Sequence, residues 1–270
     1  MRYRYISDSH THTDSSRDGV DPATMLCEQA ASLGLYALTV TDHCECEVYE
    51  QEEYDRSVVQ SYFEACKAQA VFRGRLRVYA GVELGQPLHD EEAAQTVLHA
   101  CDFDFVLASV HALRGRQDFY FMEYTDEESA YQLLEEYFDE LIRVTDWGHF
   151  DSLAHLTYPL RYMVGSGLTI DLSRFAPKID VILSRLVAKG KALEINTSGL
   201  RQAIGKTLPD IDIVKRFHEL GGKYITLGSD AHRWADVGAG IEEGLALAQK
   251  AGFDHFCVYE QREPHLLPIT

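Results

Sequence analysis

Basic residues are scarce in this chain. Lysine and arginine number 25 against 43 aspartates and glutamates, which gives a formal net charge of -18 over 270 residues. A surface that grips nucleic acid needs clustered cations to neutralise phosphates, so the balance argues against that class. It argues equally against adhesion to anionic membranes. Long apolar runs are missing too. The opening MRYRYISDSH holds no apolar core of signal-peptide length, and no later stretch is long enough to span a bilayer. A soluble, cytoplasmic protein is expected. Cysteines number 6 and are scattered, with Cys44 and Cys46 as their one tight pair. A chain that is 46% hydrophobic at this length can bury a full core without a disulfide framework, so free buried thiols are expected. No linker, low-complexity segment or charge run divides the sequence, and no repeat is evident, so one domain over 1–270 is the simplest reading.

What the chain does have is a rhythm. LYALTVTDH, RVYAGVELG, FDFVLASVH, DSLAHL, KALEINTSG and YITLGSDAH read as strands, and RYRYIS reads as one before them. Amphipathic helical patterns lie between. In DPATMLCEQAASLG, Asp21 is placed to cap, Pro22 suits the first turn and Gly34 suits the end. SVVQSYFEACKAQAVF, ESAYQLLEEYFDELIRVT, KIDVILSRLVAKG, DIVKRFHELGG and IEEGLALAQKAG follow. Strand then helix, seven or eight times, predicts parallel strands with right-handed crossovers and an α/β barrel.

The polar residues gather where those strands end: DSHTH, TDH, VEL, SVH, LAHL, INTSGLR and GSDAH. In a parallel barrel these ends share one rim, where active sites are built. After a strand, His10 and His12 point to the same side, since strand side chains repeat every second residue. A lone strand-end histidine is more often a hydrogen-bonded core residue than a ligand. Six of them, with several carboxylates, on different strands, are not explained by packing, because each buried imidazole needs a partner. The set predicts a metal site.

In order, HTH, TDH, the glutamate of GVELG, SVH, AHL and SDAH resemble the metal motifs of the polymerase-and-histidinol-phosphatase (PHP) superfamily, from Asp8 to His232. Within it, HTHTDSSRDG, EINTSGLR and the terminal VYEQREPHLLPI are most similar to the monofunctional L-histidinol-phosphate phosphatases. The resemblance implies a distorted (β/α)7 TIM-like barrel and a trinuclear site for divalent zinc, manganese or iron. By that resemblance His10, His12 and Asp230 hold the first ion, and Glu83 bridges the first and second. His111 and His155 complete the second, while Asp18, His43 and His232 cage the third. Glu83, Asp230 and His232 are implied among the catalytic groups. Many relatives carry histidine where Asp18 stands; aspartate makes the third site richer in oxygen and less selective for zinc. The implied activity is hydrolysis of L-histidinol phosphate in histidine biosynthesis, by attack of a metal-bound hydroxide. Three dications bring about +6, and Asp18, Glu83 and Asp230 subtract three, so a pocket near +3 can draw phosphate into an acidic protein.

Other residues are open to more than one reading. Arg161 and Arg201 follow strand ends, and a guanidinium fork suits phosphate oxygens; either is equally well a surface partner of a carboxylate. Asn196 and Ser198 can donate to phosphate or shape a turn. Asp42 is either an imidazole orienter or a strand-end cap, and Asp8 and Asp14 are second-layer or solvated groups. His89 lies in a loop near Glu83 and is a possible substrate contact; His99, His149, His218 and His255 read as structural. CEC after His43 lacks the second pair a zinc site needs. RQDFYFMEYTDEESAYQ reads as a mixture of lid and helix, whose aromatic and acidic surface would suit an imidazole and an amine. The competing readings are another small-molecule phosphatase (nucleotide or sugar), a phosphotyrosine-protein phosphatase, an exonuclease that the charge disfavours, and a module without catalysis.

Overall fold

The computed structural model describes residues 2–270. Ten strands are present among them: β1 Ser7–Thr11, β2 Ala37–Val40, β3 His43–Glu45, β4 Arg77–Gly85, β5 Phe105–Ser109, β6 Ser152–Leu153, β7 Ala192–Asn196, β8 Ile225–Gly228, β9 His255–Glu260 and β10 Glu263–Pro268. Eight α-helices alternate with them: α1 Ala23–Ser32, α2 Tyr54–Val71, α3 Glu91–Ala100, α4 Glu127–Trp147, α5 Leu160–Gly165, α6 Ala176–Lys189, α7 Ile211–Glu219 and α8 Ile241–Lys250. The parallel sheet runs β1-β2-β4-β5-β6-β7-β8, with β3 also on β4. β2 pairs with Arg77–Ala80 and β3 with Glu83–Gly85 of the same long β4, so the two are one strand broken at Thr41–Asp42. This makes a nearly closed barrel of seven staves, as the resemblance implied. Its seam between β1 and β8 is held at the rim by His12 N donating to Ala231 O at 2.8 Å and Asp230 N donating to His10 O at 2.9 Å.

Several local expectations need correction. β1 begins at Ser7, so His10 sits inside the strand, and the preceding RYRYI is not strand. Asp21 does not cap α1; its carboxylate accepts from Trp234 N at 2.7 Å and ties the α1 entrance to the loop after β8. DSLAHL shrinks to Ser152–Leu153, which leaves His155 beyond the strand. α3, capped by Asp90, and the β9–β10 hairpin add to the expected elements. Elsewhere pattern and structure agree. α4 buries Ala130, Leu134, Phe138, Leu141 and Val144 at three- and four-residue spacing, starts at the Asp126 cap and stops at Gly148, whose φ is 71°.

The core has two parts. One layer lies between strands and helices, with Leu38, Val106, Phe138, Ile182 and Leu245 among its members. A smaller cluster of Phe105, Leu107, Ala154, Ala192, Cys257 and Tyr259 fills the barrel floor. The hairpin supplies the last two and closes that end. Its tip residues Gln261 and Arg262 adopt φ of 52° and 67°, the paired left-handed geometry of a two-residue hairpin turn. They are fastened there by Asp104, which accepts from Gln261 N at 3.0 Å, and by Asp151, which pairs with the Arg262 guanidinium.

Candidate metal centre

With the floor closed, the strand ends at the opposite rim set the site. β1 delivers His10, with His12 one residue past its end, β3 begins at His43, and β4 delivers Glu83 near its end. The segments beyond β5, β6 and β8 carry His111, His155, Asp230 and His232. All the expected ligands meet. Glu83 is fully buried. Its Oε2 lies 3.2 Å from His10 Nε2, 3.4 Å from His12 Nε2 and 3.0 Å from His43 Nδ1. Its Oε1 lies 3.1 Å from His111 Nε2 and 2.9 Å from His155 Nε2. Asp230 Oδ1 is 3.8 Å from His10 Nε2 and 3.6 Å from His12 Nε2. Asp18, on the exposed loop after β1, reaches His232 Nε2 at 3.1 Å and His43 Nε2 at 3.7 Å. The His12 ring packs on those of His43 and His232, 4.2 Å from each, and the latter two lie 5.6 Å apart.

These spacings fit cations. A tetrahedral ion with bonds of about 2.1 Å has donor–donor edges of about 3.4 Å, and the separations from His10 and His12 to Glu83 and Asp230 span 3.2–3.8 Å. His12 Nε2 is buried without a hydrogen-bond partner, although two carboxylates face it. A nitrogen in that position lacks only an ion. Four overlapping triads have ligand atoms within 4.8 Å of one another: His12–His43–His232, His10–His155–Asp230, His10–His12–Glu83 and His43–Glu83–His111.

Electrostatics from the protein groups alone point the same way. Burial pushes the Glu83 carboxyl up, but His10, His111 and His43 outweigh it and hold it well below the usual range. Burial lowers His111, yet Glu45 and Glu83 raise it to about 10. His12 is driven well down by burial and by its neighbours His43 and His232. A centre that must borrow protons to balance its carboxylates is one that cations can occupy in their place.

Sequence reasoning missed several participants. Glu194 Oε1 accepts from His10 Nδ1 at 2.6 Å, and its Oε2 accepts from His155 N at 2.7 Å. Glu45 Oε1 accepts from His111 Nδ1 at 2.9 Å. Gln86, at φ 44°, accepts from His111 N at 2.8 Å and donates to Glu45 Oε2 at 2.8 Å. The available signal was alternation: Glu45 stands two residues after His43, and Glu194 two before Asn196, on the faces that reach the rim. The expected charge near +3 must be lowered accordingly. Glu45 and Glu194 remove two from it and Arg161 returns one, leaving about +2.

The remaining candidates take definite positions. Arg161 is buried on α5, with Nη1 and Nη2 each 3.3 Å from Asp230 Oδ2 and its Nε without a partner. Its guanidinium lies over the Tyr158 ring, 4.6 Å from the centroid. Arg201 is more exposed and donates from Nη2 to Ser229 O at 2.8 Å. Asn196 Nδ2 and Ser198 Oγ both lie 3.3 Å from Asp230 Oδ2. Asp42 receives no imidazole; it accepts from Thr13, Ser16 and Ser61, and touches His12 only through Ser16 Oγ. Asp8 is buried and accepts from Ser229 N and Gly238 N, each at 2.8 Å, while Asp14 is exposed. His89 turns to Glu47, 2.7 Å away, and Cys44 and Cys46 are buried free thiols. In the expected lid, Phe119 is buried, whereas Tyr120 and Phe121 are exposed and Tyr120 packs on Tyr162.

Fold and centre together define a β/α barrel whose histidine-rich rim is able to hold several metal ions. The chain belongs to the PHP domain family, whose model matches residues 8–198. It is 31% identical to a probable histidinol-phosphatase of Thermotoga maritima, over 93% of this chain and 94% of that protein. It is 27% identical to the histidinol-phosphatase of Lactococcus lactis, over 93% of each. Among solved structures, that of histidinol phosphate phosphatase from Lactococcus lactis, complexed with zinc, L-histidinol and phosphate, matches with a TM-score of 0.75 at 25% identity, over 96% of this chain and 98% of that one. A putative histidinol phosphatase of Listeria monocytogenes shares the fold at the same TM-score, 0.75, and 20% identity, over 88% of this chain and 99% of that one. Among the described residues no helix is long and apolar enough to cross a membrane.

Proposed function

We propose that the chain is a metal-dependent phosphomonoesterase that hydrolyses L-histidinol phosphate to L-histidinol and phosphate. One observation carries the reading: a buried carboxylate, Glu83, with five imidazole nitrogens within 3.4 Å of its two oxygens. Its support is the similarity to a protein that binds zinc, L-histidinol and phosphate. His10, His12, Glu83 and Asp230 would hold one cation, Glu83, His111 and His155 a second, and Asp18, His43 and His232 a third. When bound, such cations bring the pKa of water toward neutrality and offset charge on the phosphoryl oxygens.

The chain's own residues place and balance. Glu83 would present one oxygen to each of two neighbouring sites, Oε2 beside His10 and His12 and Oε1 beside His111 and His155. Asp230 divides its carboxylate, with Oδ1 toward the histidines and Oδ2 toward Arg161, Asn196 and Ser198. Arg161 turns its Nη1–Nη2 edge to Oδ2, and its Nε is a buried donor without a partner that needs an acceptor. Arg201, in the turn after β7, is held by its bond to Ser229 O and is exposed. Tyr158 and Tyr162 offer ring faces beside Arg161, and Tyr120 packs on Tyr162. Asp118 accepts from Tyr158 Oη at 3.1 Å. That is a surface suited to an imidazole carrying an amine.

Phosphate release by the zinc- or manganese-loaded protein tests this against histidinol phosphate, phosphotyrosine peptide, nucleotide and sugar monoesters. The expected kcat/KM on histidinol phosphate exceeds the others by about a hundredfold. A comparable or higher value on another monoester overturns the substrate, and no turnover on any overturns the enzyme.

A further inference from the structure

We propose that Glu45 and Glu194 are positioning residues that hold His111 and His10 as Nδ1–H tautomers, so that their Nε2 atoms stay free to bind metal. The proposal rests on the metal centre described above.

Each glutamate faces only donors. Around Glu194 these are His10 Nδ1 at 2.6 Å, His155 N at 2.7 Å and Asn196 Nδ2 at 3.3 Å. Around Glu45 they are His111 Nδ1 at 2.9 Å and Gln86 Nε2 at 2.8 Å. The Gln86 amide cannot turn round, because its Oε1 accepts from His111 N. A carboxylate satisfies such a set and an amide does not. An imidazole that donates from Nδ1 has its lone pair on Nε2, the atom that faces Glu83 in both histidines.

The backbone makes room for both carboxylates. A Cβ on Gly85 would come within 2.1 Å of Glu45 Oε2, and one on Gly228 within 2.3 Å of Glu194 Oε1. Both glycines end strands beside the centre, so these two seats are open only because no side chain occupies them. The pair also laces the three candidate sites together. Glu194 holds the ring of one first-site histidine and the backbone of His155 in the second. Glu45 holds the second-site ring of His111 and lies 3.4 Å from His43 Nδ1 in the third.

Substituting an amide turns the logic over. In Glu194→Gln the backbone N–H of His155 cannot move, so it takes the amide oxygen. The amide nitrogen is left facing His10. That ring must then accept at Nδ1 and carry its proton on Nε2, where it blocks the metal. Glu45→Gln should act on His111 in the same way. Gly85→Ala keeps Glu45 but fills its seat, and the clash falls on the end of a flexible side chain, so the fold is spared.

Zinc affinity and stoichiometry are measured by chelator competition, with the ring N–H protons of the zinc-loaded protein followed by NMR. Wild type should show carboxylate-bonded Nδ1–H signals for His10 and His111. Glu194→Gln should lose the first and weaken zinc at that site about 10–100-fold. Glu45→Gln and Gly85→Ala should lose the second signal and weaken the second site alike. Folded variants with wild-type zinc affinity and both ring signals intact overturn the positioning role. A wild-type protein that takes up no zinc overturns the metal reading itself, which separates the two failures.

Discussion

The two ends of the barrel are made from the same strands and obey opposite rules. On β7, Ala192, Glu194 and Asn196 share one face; the first sits in the floor cluster and the other two at the rim. On β5, Phe105 and Leu107 fill the floor, and His111 follows two residues after the strand ends. The floor has one buried carboxylate, Asp151, and the chain supplies its counter-charge in Arg262. The rim gathers Glu45, Glu83, Glu194 and Asp230 with Asp18 at its edge, and the cation aimed at them is Arg161. A fold can balance charge internally where it needs only stability. Where it leaves carboxylates and imidazoles facing one another, the missing charge must come from outside.

The contrast breaks most severely at Glu83. Glu83→Gln keeps the shape but removes the charge that lets two cations sit about 3.5–4 Å apart. Loss of at least one bound metal is expected, with turnover falling to background. Full metal content with near-normal turnover would mean that Glu83 does not bridge. The mirror experiment is Phe105→Ala in the floor. Phe105 is buried among Leu107, Ala154 and Tyr259, and its truncation should cost about 3–5 kcal/mol of stability. Metal stoichiometry and KM should hold at a temperature where the variant is folded. If the metal content fell with it, the two ends would not be separable.

The same contrast explains which features are legible in the amino-acid sequence. The rim ligands are legible because residues that packing would not choose recur at strand ends: His10, His12, His43, Glu83, His111, His155, Asp230 and His232 all converge as their order implied. The barrel follows from the alternation of short β-rich and longer amphipathic segments. Glu45 and Glu194 are not legible as site residues. Each sits among residues with a ready alternative meaning, Glu45 inside CEC and Glu194 inside an ordinary strand, and only the fold brings them to a histidine ring. Asp21 reads as a cap because proximity in sequence hides its partner Trp234, 213 residues away. The floor hairpin is unreadable for a similar reason. Gln261 and Arg262 are poor hairpin-turn residues by composition, and they hold their geometry through Asp104 and Asp151.

Arg161 tests where rim chemistry passes from metal to substrate. Arg161→Ala should lower kcat/KM by about 1.5–3 kcal/mol, roughly ten- to a hundredfold. Three metals should remain, since the guanidinium pairs with Asp230 Oδ2 and leaves Oδ1 to the histidines. Arg201→Ala, more exposed and bound to a backbone carbonyl, should show a smaller loss of the same kind. Wild-type kinetics in both variants would remove the arginines from the phosphate site.

The last effect expected is a dependence of metal-stripped stability on pH, confined to the rim. Burial alone would lower the His111 pKa, but Glu45 and Glu83 hold it at about 10, above the ordinary value of 6.5. A group whose folded pKa is raised stabilises the fold fully below its unfolded pKa and loses that contribution as pH climbs through the folded one. In chelator-treated protein, the melting temperature should therefore fall between about pH 6.5 and 10. The scale is about 2–4 °C for each kcal/mol withdrawn. Zinc-loaded protein should run the other way, because loading needs the ring unprotonated at Nε2 and is easier as pH rises. Comparison with Glu45→Gln isolates the contribution of that carboxylate. Removing the carboxylate that Nδ1 contacts at 2.9 Å should flatten the decline, whereas Phe105→Ala should lower the whole curve and keep its slope. Parallel curves for wild type and Glu45→Gln would show that His111 carries no such proton.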